Sequence, residues 1–435
     1  MPVAEGHCHR ILIVILDKSF LFWYTVQPQR PGAGSAGDVW RGWGEELCQV
    51  CNGPYRRMLW RYFLLTEAVR GRCTISEQGN PYKRLAERLD ALPNGFPPTD
   101  DGAELRLLAK LFVPEEAALA AQLRLTLDTP AQIAARLGGD PRALRKRLKG
   151  MARRGLIAAG RAEGGLGYGL LPFVVGIYEM QFSNLDAELA RLFEDYYQQA
   201  FGQALAMQPP VHRVVPVGES VQMEVEVRPF ESAAGIVASA EAWGVVDCIC
   251  RAQKALIGEP CEHPLDVCMV LSETPGAFDN SPAIRALTRE QAMATLRRAA
   301  EAGLVHSVGN KQQGLWYICN CCTCSCGVLR GMADVGIANV VARSPFVNRV
   351  DEALCIGCGE CVEWCQFWAL SLDDVAHVDE SRCVGCGVCA LACPEEALSL
   401  ERRPAEEVLP VPVTEADWRA QRAAARGLDV GGVLR

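Results

Sequence analysis

Cysteine carries most of the potential chemistry in this sequence, and eight cysteines near the C-terminus form two copies of one spacing. Each copy reads Cys-x2-Cys-x2-Cys-x3-Cys, and the residues are Cys355, Cys358, Cys361 and Cys365, then Cys383, Cys386, Cys389 and Cys393. A [4Fe-4S] cluster needs one thiolate for each iron, and a Cys-x2-Cys-x2-Cys loop supplies three from one stretch of backbone. The duplicated spacing therefore predicts two [4Fe-4S] clusters. Paired structural zinc sites are the alternative, but the third and fourth cysteines of each copy favour iron.

The two copies belong to a longer internal repeat. Each is followed by the same tetrapeptide, at Ala369 to Leu372 and at Ala397 to Leu400. Over residues 348–402 the chain resembles the bacterial two-cluster ferredoxins, although Gln366 stands where the run usually has proline. The resemblance implies a βαββαβ-like fold and a one-electron carrier. It also implies interleaved ligands, in which the last cysteine of each motif serves the other cluster. The two ligand sets would be Cys355, Cys358, Cys361 and Cys393, and Cys383, Cys386, Cys389 and Cys365.

Nine further cysteines occupy the middle of the chain in two groups. They are Cys248, Cys250, Cys261 and Cys268, followed by Cys319, Cys321, Cys322, Cys324 and Cys326. We predict at least one further metal centre here, with the first four cysteines as the best single ligand set. The second group would support another centre or share in the first. Neither spacing is that of a familiar motif, and we favour an iron-sulfur cluster over zinc because an added cluster would extend an electron relay.

The second group follows an apolar run and predicts a strand. Residues two apart on a strand point to the same side. Cys322, Cys324 and Cys326 are therefore predicted to serve one site, while Cys319 and Cys321 lean elsewhere. Arg251, next to Cys250, could balance the negative charge of a cluster. His263 is predicted to be an imidazole facing a turn rather than a ligand.

Residues 103–171 resemble a winged helix-turn-helix. Thr129 and Pro130 predict a helix start, a second helix is expected from Pro141 to Arg154, and glycine-rich residues 164–169 suggest a two-stranded wing. The second helix is strongly basic, with Arg142, Arg145, Lys146, Arg147, Lys149, Arg153 and Arg154 and no acidic residue between them. Such a helix could lie against phosphates in a major groove. Docking to a protein is the alternative role, because fold does not imply function.

Other local patterns give weaker structural predictions. A second winged-helix-like segment is predicted at 286–318, because Leu296 to Val305 echoes the earlier helix and its following turn. Residues 184–206 have apolar side chains at helical spacing, and residues 221–227 alternate as a half-buried strand does. The pair Cys48 and Cys51 has no second pair beside it, so we interpret these cysteines as ordinary thiols.

Length and composition predict an α+β multidomain protein. The 435 residues are 49% hydrophobic and 22% charged, with a formal charge of -8 and 21 cysteines. Clustered cysteines indicate thiolate ligands in a reducing compartment rather than a disulfide scaffold. The predicted organisation is an N-terminal extension, a winged-helix-like domain, a cysteine-rich α/β middle domain, the dicluster ferredoxin-like domain and a C-terminal tail. Their boundaries are 1–77, 78–182, 183–345, 346–403 and 404–435.

These features predict an electron-transfer protein of an anaerobic-type metabolism in the cytoplasm, acting as a carrier or as a component of an oxidoreductase. Its partner would be a redox protein, and the net negative charge gives no general attraction to nucleic acid. A redox-responsive transcription regulator is the alternative, and a reductase with an active cluster in the middle domain is a third possibility. We find no nucleotide-binding loop, signal peptide or membrane span, and no catalytic residue can be named.

Overall fold

The computed structural model describes residues 79–217, 228–337, 340–429 and 431. The predicted extension 1–77 and the predicted strand 221–227 lie outside the described residues. Within the described residues, no helix combines the length and the apolar character that crossing a bilayer requires.

Three short helices open the described chain, and two of them begin at a proline. The helices are α1 (Pro81–Asp90), α2 (Ala103–Leu111) and α3 (Pro114–Ala120). Proline occupies the first position of α1 and α3, where a missing N–H costs nothing. The Asn80 side chain accepts a hydrogen bond from the Tyr82 backbone N–H at 3.0 Å. These helices bury leucines against the rest of the protein.

The next elements are two helices and an antiparallel hairpin, at the predicted positions. They are α4 (Pro130–Leu137), α5 (Pro141–Arg153), β1 (Ala158–Ala162) and β2 (Gly165–Gly169). Thr129 and Gln132 form a capping box at the start of α4. The Asp140 side chain caps α5, which buries Leu148 and Met151 and leaves its opposite face in solvent.

The amphipathic segment predicted at 184–206 is helical over most of its length. It begins as α6 (Ala187–Tyr196) and continues through a π-helical turn to Ala204. Leu189, Phe193 and Tyr196 are buried, and the Phe193 ring stacks on Tyr178 with their centroids 3.7 Å apart. The aromatic residues of this helix are therefore core residues, as predicted.

A seven-stranded sheet forms the middle of the protein. Its strands and the helices between them are β3 (His212–Val214), α7 (Ala233–Ala238), β4 (Ala242–Val246), α8 (Ile249–Leu256), β5 (Cys268–Ser272), β6 (Arg285–Leu287), α9 (Arg289–Glu301), β7 (Val305–Gly309), β8 (Tyr317–Cys321), α10 (Arg330–Ala333) and β9 (Val341–Ala342). The order of the strands across the sheet is β6-β4-β5-β8-β7-β3-β9. The β3–β9 pair is parallel, and the other pairs are antiparallel.

The segment predicted as a second winged helix, 286–318, differs from that prediction. It does contain a helix followed by a hairpin, α9 and then β7 and β8. However, β8 also pairs with β5, and β7 also pairs with β3. The hairpin therefore lies in the centre of the large sheet rather than standing as a wing.

The C-terminal region has the element order βαββαβ. Its elements are β10 (Phe346–Val350), α11 (Glu360–Trp364), β11 (Leu370–Leu372), β12 (Ala376–Val378), α12 (Val388–Leu391) and β13 (Leu398–Arg402). The outer strands β10 and β13 pair with each other, and the inner strands β11 and β12 form a hairpin. The first and last strands of the repeat thus close it into one unit.

One hydrophobic cluster connects the three predicted regions. It contains Leu85 from the first helix, Phe193 and Val305 from the middle, and Phe367 and Val388 from the C-terminal region. The predicted tail also packs onto the protein, through α13 (Glu415–Ala425). The buried Arg422 guanidinium donates from Nε to the Pro93 carbonyl at 2.8 Å and from Nη1 to the Pro209 carbonyl at 2.6 Å. The regions therefore share a core.

Candidate metal centres

The eight C-terminal cysteines line two separate cavities. Four of them surround the first cavity: Cys355, Cys358, Cys361 and Cys393. The other four surround the second: Cys365, Cys383, Cys386 and Cys389. Each loop of three cysteines therefore meets the fourth cysteine of the other motif, which is the interleaved arrangement that the resemblance implies.

Glycine makes the cysteine loops possible. Gly357 and Gly385 occupy the same position in the two motifs, directly before the second cysteine. Their φ angles are +68° and +67°, in the left-handed region. A Cβ atom at Gly357 would lie 2.6 Å from the Asp374 carbonyl oxygen, and one at Gly385 would lie 2.1 Å from that of Phe346. A side chain at either position would push the loop away from the backbone segment beside it.

The repeated tetrapeptide has a structural role at both cavities. The backbone N–H of Ala369 donates to the Cys365 sulfur at 3.3 Å, and that of Ala397 donates to the Cys393 sulfur at 3.3 Å. A third N–H, from Ala376, donates to Cys355 at 3.5 Å. Hydrogen bonds of this kind tune the potential of a bound cluster.

The second cavity has further properties that fit a bound cluster. Burial raises the pKa of Cys386 to about 12 and raises that of Cys389, so these thiols would be protonated without a cation beside them. The side chain of Asn348 also lines this cavity, and its Nδ2 and Oδ1 atoms are buried with no hydrogen-bond partner among the described residues. A cluster with thiolate and sulfide acceptors would give the Asn348 N–H group a partner.

Residues 348–400 match the family model of the 4Fe-4S dicluster domain. The match covers the cysteines of both cavities and supports an iron-sulfur electron-transfer function for this region. The chain matches no curated protein and no solved structure.

The middle cysteines separate into a compact group and an extended group. The compact group is Cys261, His263, Cys322 and Cys324, whose ligand atoms all lie within 4.8 Å of one another. We call it the Cys3His site. The extended group lines one cavity and consists of Cys248, Cys250, Cys268, Cys319, Cys321 and Cys326. We call it the six-cysteine cavity.

This division differs from the predicted ligand sets in two respects. The predicted set of Cys248, Cys250, Cys261 and Cys268 loses Cys261, which lies in the Cys3His site. The predicted set of Cys322, Cys324 and Cys326 also divides, because strand β8 ends at Cys321 and the chain then turns. The Cys326 N–H donates to the Cys322 carbonyl at 3.0 Å, which closes that turn and removes the strand alternation. Cys319 and Cys321 do point to one site, the six-cysteine cavity.

His263 is a member of the Cys3His site rather than an isolated turn residue. Its Nδ1 lies 3.7 Å from the Cys324 sulfur. The pKa of Cys322 is well below its ordinary value, because the Cys324 and His263 side chains hydrogen-bond to the Cys322 sulfur. The sequence contains the relevant signal, a Cys-x-His pair at 261–263 and a Cys-x-Cys pair at 322–324, but separates them by about sixty residues.

Arg251 lies between the two middle sites. The side chain is 4% exposed, and its Nη1 donates to the Asn320 carbonyl at 3.1 Å and approaches the Cys322 sulfur at 3.8 Å. The remaining Nε and Nη2 atoms are buried and have no hydrogen-bond partner among the described residues. Arg251 also lines the six-cysteine cavity. A buried cation with unused donors fits a cavity that holds anionic thiolates.

A charged contact that sequence reasoning missed holds the helices around the six-cysteine cavity. Glu194 on α6 accepts two hydrogen bonds from Arg330 on α10, at 2.9 and 2.6 Å. Gln253 on α8 donates to the same carboxylate at 3.2 Å. Helix α8 follows Cys248, and α10 follows Cys326, so this contact fixes two elements that carry ligands. No local motif marks Glu194, because its partners are distant in sequence.

Gln366, the departure from the ferredoxin pattern, connects the C-terminal region to the Cys3His site. Its Oε1 accepts a hydrogen bond from the Thr323 backbone N–H at 2.7 Å. Its Nε2 donates to the Gly303 carbonyl. Thr323 stands between Cys322 and Cys324, and Gln366 is adjacent to Cys365. Proline at position 366 would have no side-chain amide to make these contacts.

Proposed function

We propose that this protein carries single electrons through two [4Fe-4S] clusters in residues 346–403. The observation that carries the proposal is the meeting of each three-cysteine loop with the fourth cysteine of the other motif, in its own cavity. Each cluster, when bound, accepts and donates one electron. The protein would act in a reducing, cytoplasmic compartment of an anaerobic-type metabolism, with an oxidoreductase as its redox partner.

A third iron-sulfur centre in the six-cysteine cavity forms part of this proposal. The cavity gathers six cysteines, none of them exposed. Its walls are largely apolar and include Phe193, Trp316 and Tyr317. Thiolates in such surroundings need a balancing positive charge, and Arg251 supplies only one. Iron is the expected source of the remainder.

Iron and sulfide analysis of the full chain, purified without oxygen, tests both parts. Two clusters in the C-terminal region would give about eight irons and eight sulfides per chain, and a third cubane would raise both to about twelve. EPR spectroscopy after dithionite reduction should show spin coupling between clusters. About eight irons per chain would contradict the third centre, and about four irons per chain would contradict the two-cluster proposal.

Nucleic-acid binding is a second candidate function, and the surface of α5 favours it. We propose that residues 103–171 are a winged helix-turn-helix with α5 as its recognition helix. Six basic side chains of α5 are exposed: Arg142, Arg145, Lys146, Arg147, Lys149 and Arg153. None of the six forms an ion pair with another described residue, whereas Arg154 pairs with Glu116. A redox-responsive regulator would couple this surface to the cluster state.

Duplex binding across a range of salt concentrations tests the regulator proposal. The double variant Arg145→Ala/Arg147→Ala should weaken binding and lower the salt slope by about 2, one for each lost phosphate contact. Arg289→Ala, which removes an exposed arginine from α9, is the matched control and should leave both unchanged. An affinity that is negligible for the unaltered protein would contradict the proposal and leave docking as the role of α5.

A further inference from the structure

The Cys3His site differs in size from the cysteine sites proposed to hold clusters. Its four ligand atoms lie within 4.8 Å of one another, and in the described part of the chain no other set of three or more cysteine, histidine or carboxylate ligands is as compact. A cubane separates its cysteine ligands because each thiolate binds a different iron. A single ion draws all its ligands to one point. The compactness of this site therefore favours a mononuclear ion.

The donor set narrows the choice of ion. Three cysteine sulfurs and one histidine nitrogen form a Cys3His set, which is a ligand set of structural zinc. Ligands at about 2.3 Å for sulfur and about 2.0 Å for nitrogen stand less than about 4 Å apart around a tetrahedral ion. The Cys324 sulfur and His263 Nδ1 already lie 3.7 Å apart. Small side-chain adjustments would complete the tetrahedron.

The surroundings of the site hold its ligands in place. The Ser325 hydroxyl donates to the Cys261 sulfur at 3.3 Å, and Arg251 Nη1 lies 3.8 Å from the Cys322 sulfur. Gln366 accepts the backbone N–H of Thr323, between two of the ligands. Hydrogen bonds to metal ligands orient those ligands and balance thiolate charge. Protein atoms would occupy all four coordination positions of the ion, which is typical of a structural site.

We propose that Cys261, His263, Cys322 and Cys324 bind one zinc ion that joins the loop between α8 and β5 to the turn after β8. Binding would release the protons of those thiols that are protonated in the metal-free protein. The ion has no redox chemistry of its own. Its role is to fix the turn that leads to Cys326 of the six-cysteine cavity. The site is thus distinct from the proposed electron carriers.

Zinc analysis and zinc X-ray absorption spectroscopy of the anaerobically purified full chain test this proposal. We expect one zinc per chain, with a first shell of three sulfurs at about 2.3 Å and one nitrogen at about 2.0 Å. This measurement uses the unaltered protein, so it tests the zinc proposal even if the variants fail to fold. A shell of four sulfurs, or a chain without zinc that has more than eight irons, would overturn the proposal.

Two variants separate this site from the clusters. Cys261→Ser/Cys324→Ser should lower zinc from one to less than about 0.2 per chain, while iron, sulfide and the EPR signals stay unchanged. His377→Ala, at an exposed histidine on β12, is the control and should retain one zinc. Loss of about four irons with the double cysteine variant would show that the site holds a cluster instead. If the unaltered protein showed no EPR signals from iron-sulfur clusters, the electron-transfer proposal would be contradicted, but the zinc result would still stand.

Discussion

The C-terminal region and the middle region both gather cysteines, but they do so by different means. In the C-terminal region, one loop with left-handed glycines supplies three cysteines to each cavity. In the six-cysteine cavity, the cysteines come from the start of α8, from β5, from β8 and from the turn before α10. The first kind of site is encoded in local spacing. The second kind exists only after the sheet and helices have assembled.

Interleaved ligands distinguish the C-terminal region, and double variants that include Cys393→Ser test them with the largest expected effects on iron content. Cys393 lies with Cys355, Cys358 and Cys361, although its sequence neighbours serve the other cavity. Cys393→Ser should therefore remove about four irons per chain. Adding Cys358→Ser should remove no more iron, because both residues serve the same cluster. Iron analysis and EPR spectroscopy provide the measurement.

A second double variant, which replaces cysteines of both cavities, should remove more iron if the ligands are interleaved. Cys393→Ser with Cys386→Ser should remove about eight irons, because these two cysteines line different cavities. If Cys393 instead bound the cluster of its own motif, Cys393→Ser with Cys386→Ser would remove only about four irons. Cys393→Ser with Cys358→Ser would then remove about eight irons.

Arg251 lines the six-cysteine cavity and neither of the C-terminal cavities, so replacing it should affect the middle region alone. Arg251→Met removes a buried positive charge beside the six-cysteine cavity. A unit charge about 5 Å away, at an effective dielectric constant of about 20, corresponds to about 3 kcal/mol, or on the order of 100 mV for one electron. The potential of a cluster in that cavity should therefore fall. Redox titration followed by EPR measures the change, and unchanged potentials for all centres would contradict it.

Much of the C-terminal site could be predicted from the sequence because each of its determinants is short-range. Cys355, Gly357 and Cys358 specify a loop conformation among themselves. By contrast, the spacing groups Cys261 with Cys248, and nothing local reveals that Cys261 lies beside Cys322. The spacing places His263 in a turn for the same reason. Strand alternation relates Cys319 to Cys321, which line the same cavity, but it does not extend beyond Cys321 because the strand ends there.

The Glu194–Arg330 contact tests how strongly the middle region depends on tertiary assembly. Glu194→Gln should lower the free energy of unfolding by about 2 kcal/mol at neutral pH, because the buried Arg330 loses one of its two carboxylate partners and keeps only Asp334. Lys110→Ala, which breaks a more exposed ion pair with Asp186, should lower the free energy of unfolding much less. Urea unfolding followed by circular dichroism measures both. Equal effects would show that the contact has no special structural role.

The same contact predicts a specific pH dependence. Burial would raise the pKa of Glu194, but hydrogen bonds from Arg330 and Gln198 lower it to about 2, from an ordinary value of 4.5. As the pH falls, the unfolded chain therefore protonates this carboxyl at a higher pH than the folded protein does. The stabilisation is fully present above about pH 4.5 and is lost as the pH falls from 4.5 toward 2. The difference in stability between the unaltered protein and Glu194→Gln should shrink over that interval, and a constant difference would contradict the prediction.

Gln366 and Pro394 occupy equivalent positions of the repeat, and they show where the two copies have different neighbours. Gln366 contacts Thr323 and Gly303 of the middle region. Gln366→Ala should lower the free energy of unfolding by about 1 kcal/mol, because the Thr323 N–H and the Gly303 carbonyl both lose a partner. Gln366→Pro, which restores the usual ferredoxin residue, should cost at least as much.

Pro394→Ala is the matched substitution in the second copy, and there it removes no side-chain hydrogen bond. If Gln366→Ala and Pro394→Ala had equal effects on urea unfolding, the amide contact would contribute nothing measurable. A larger effect at Gln366, accompanied by faster loss of zinc to a chelator, would show that the ferredoxin-like region and the Cys3His site stabilise each other. The departure from the ferredoxin pattern would then be explained by the surface on which this copy of the repeat packs.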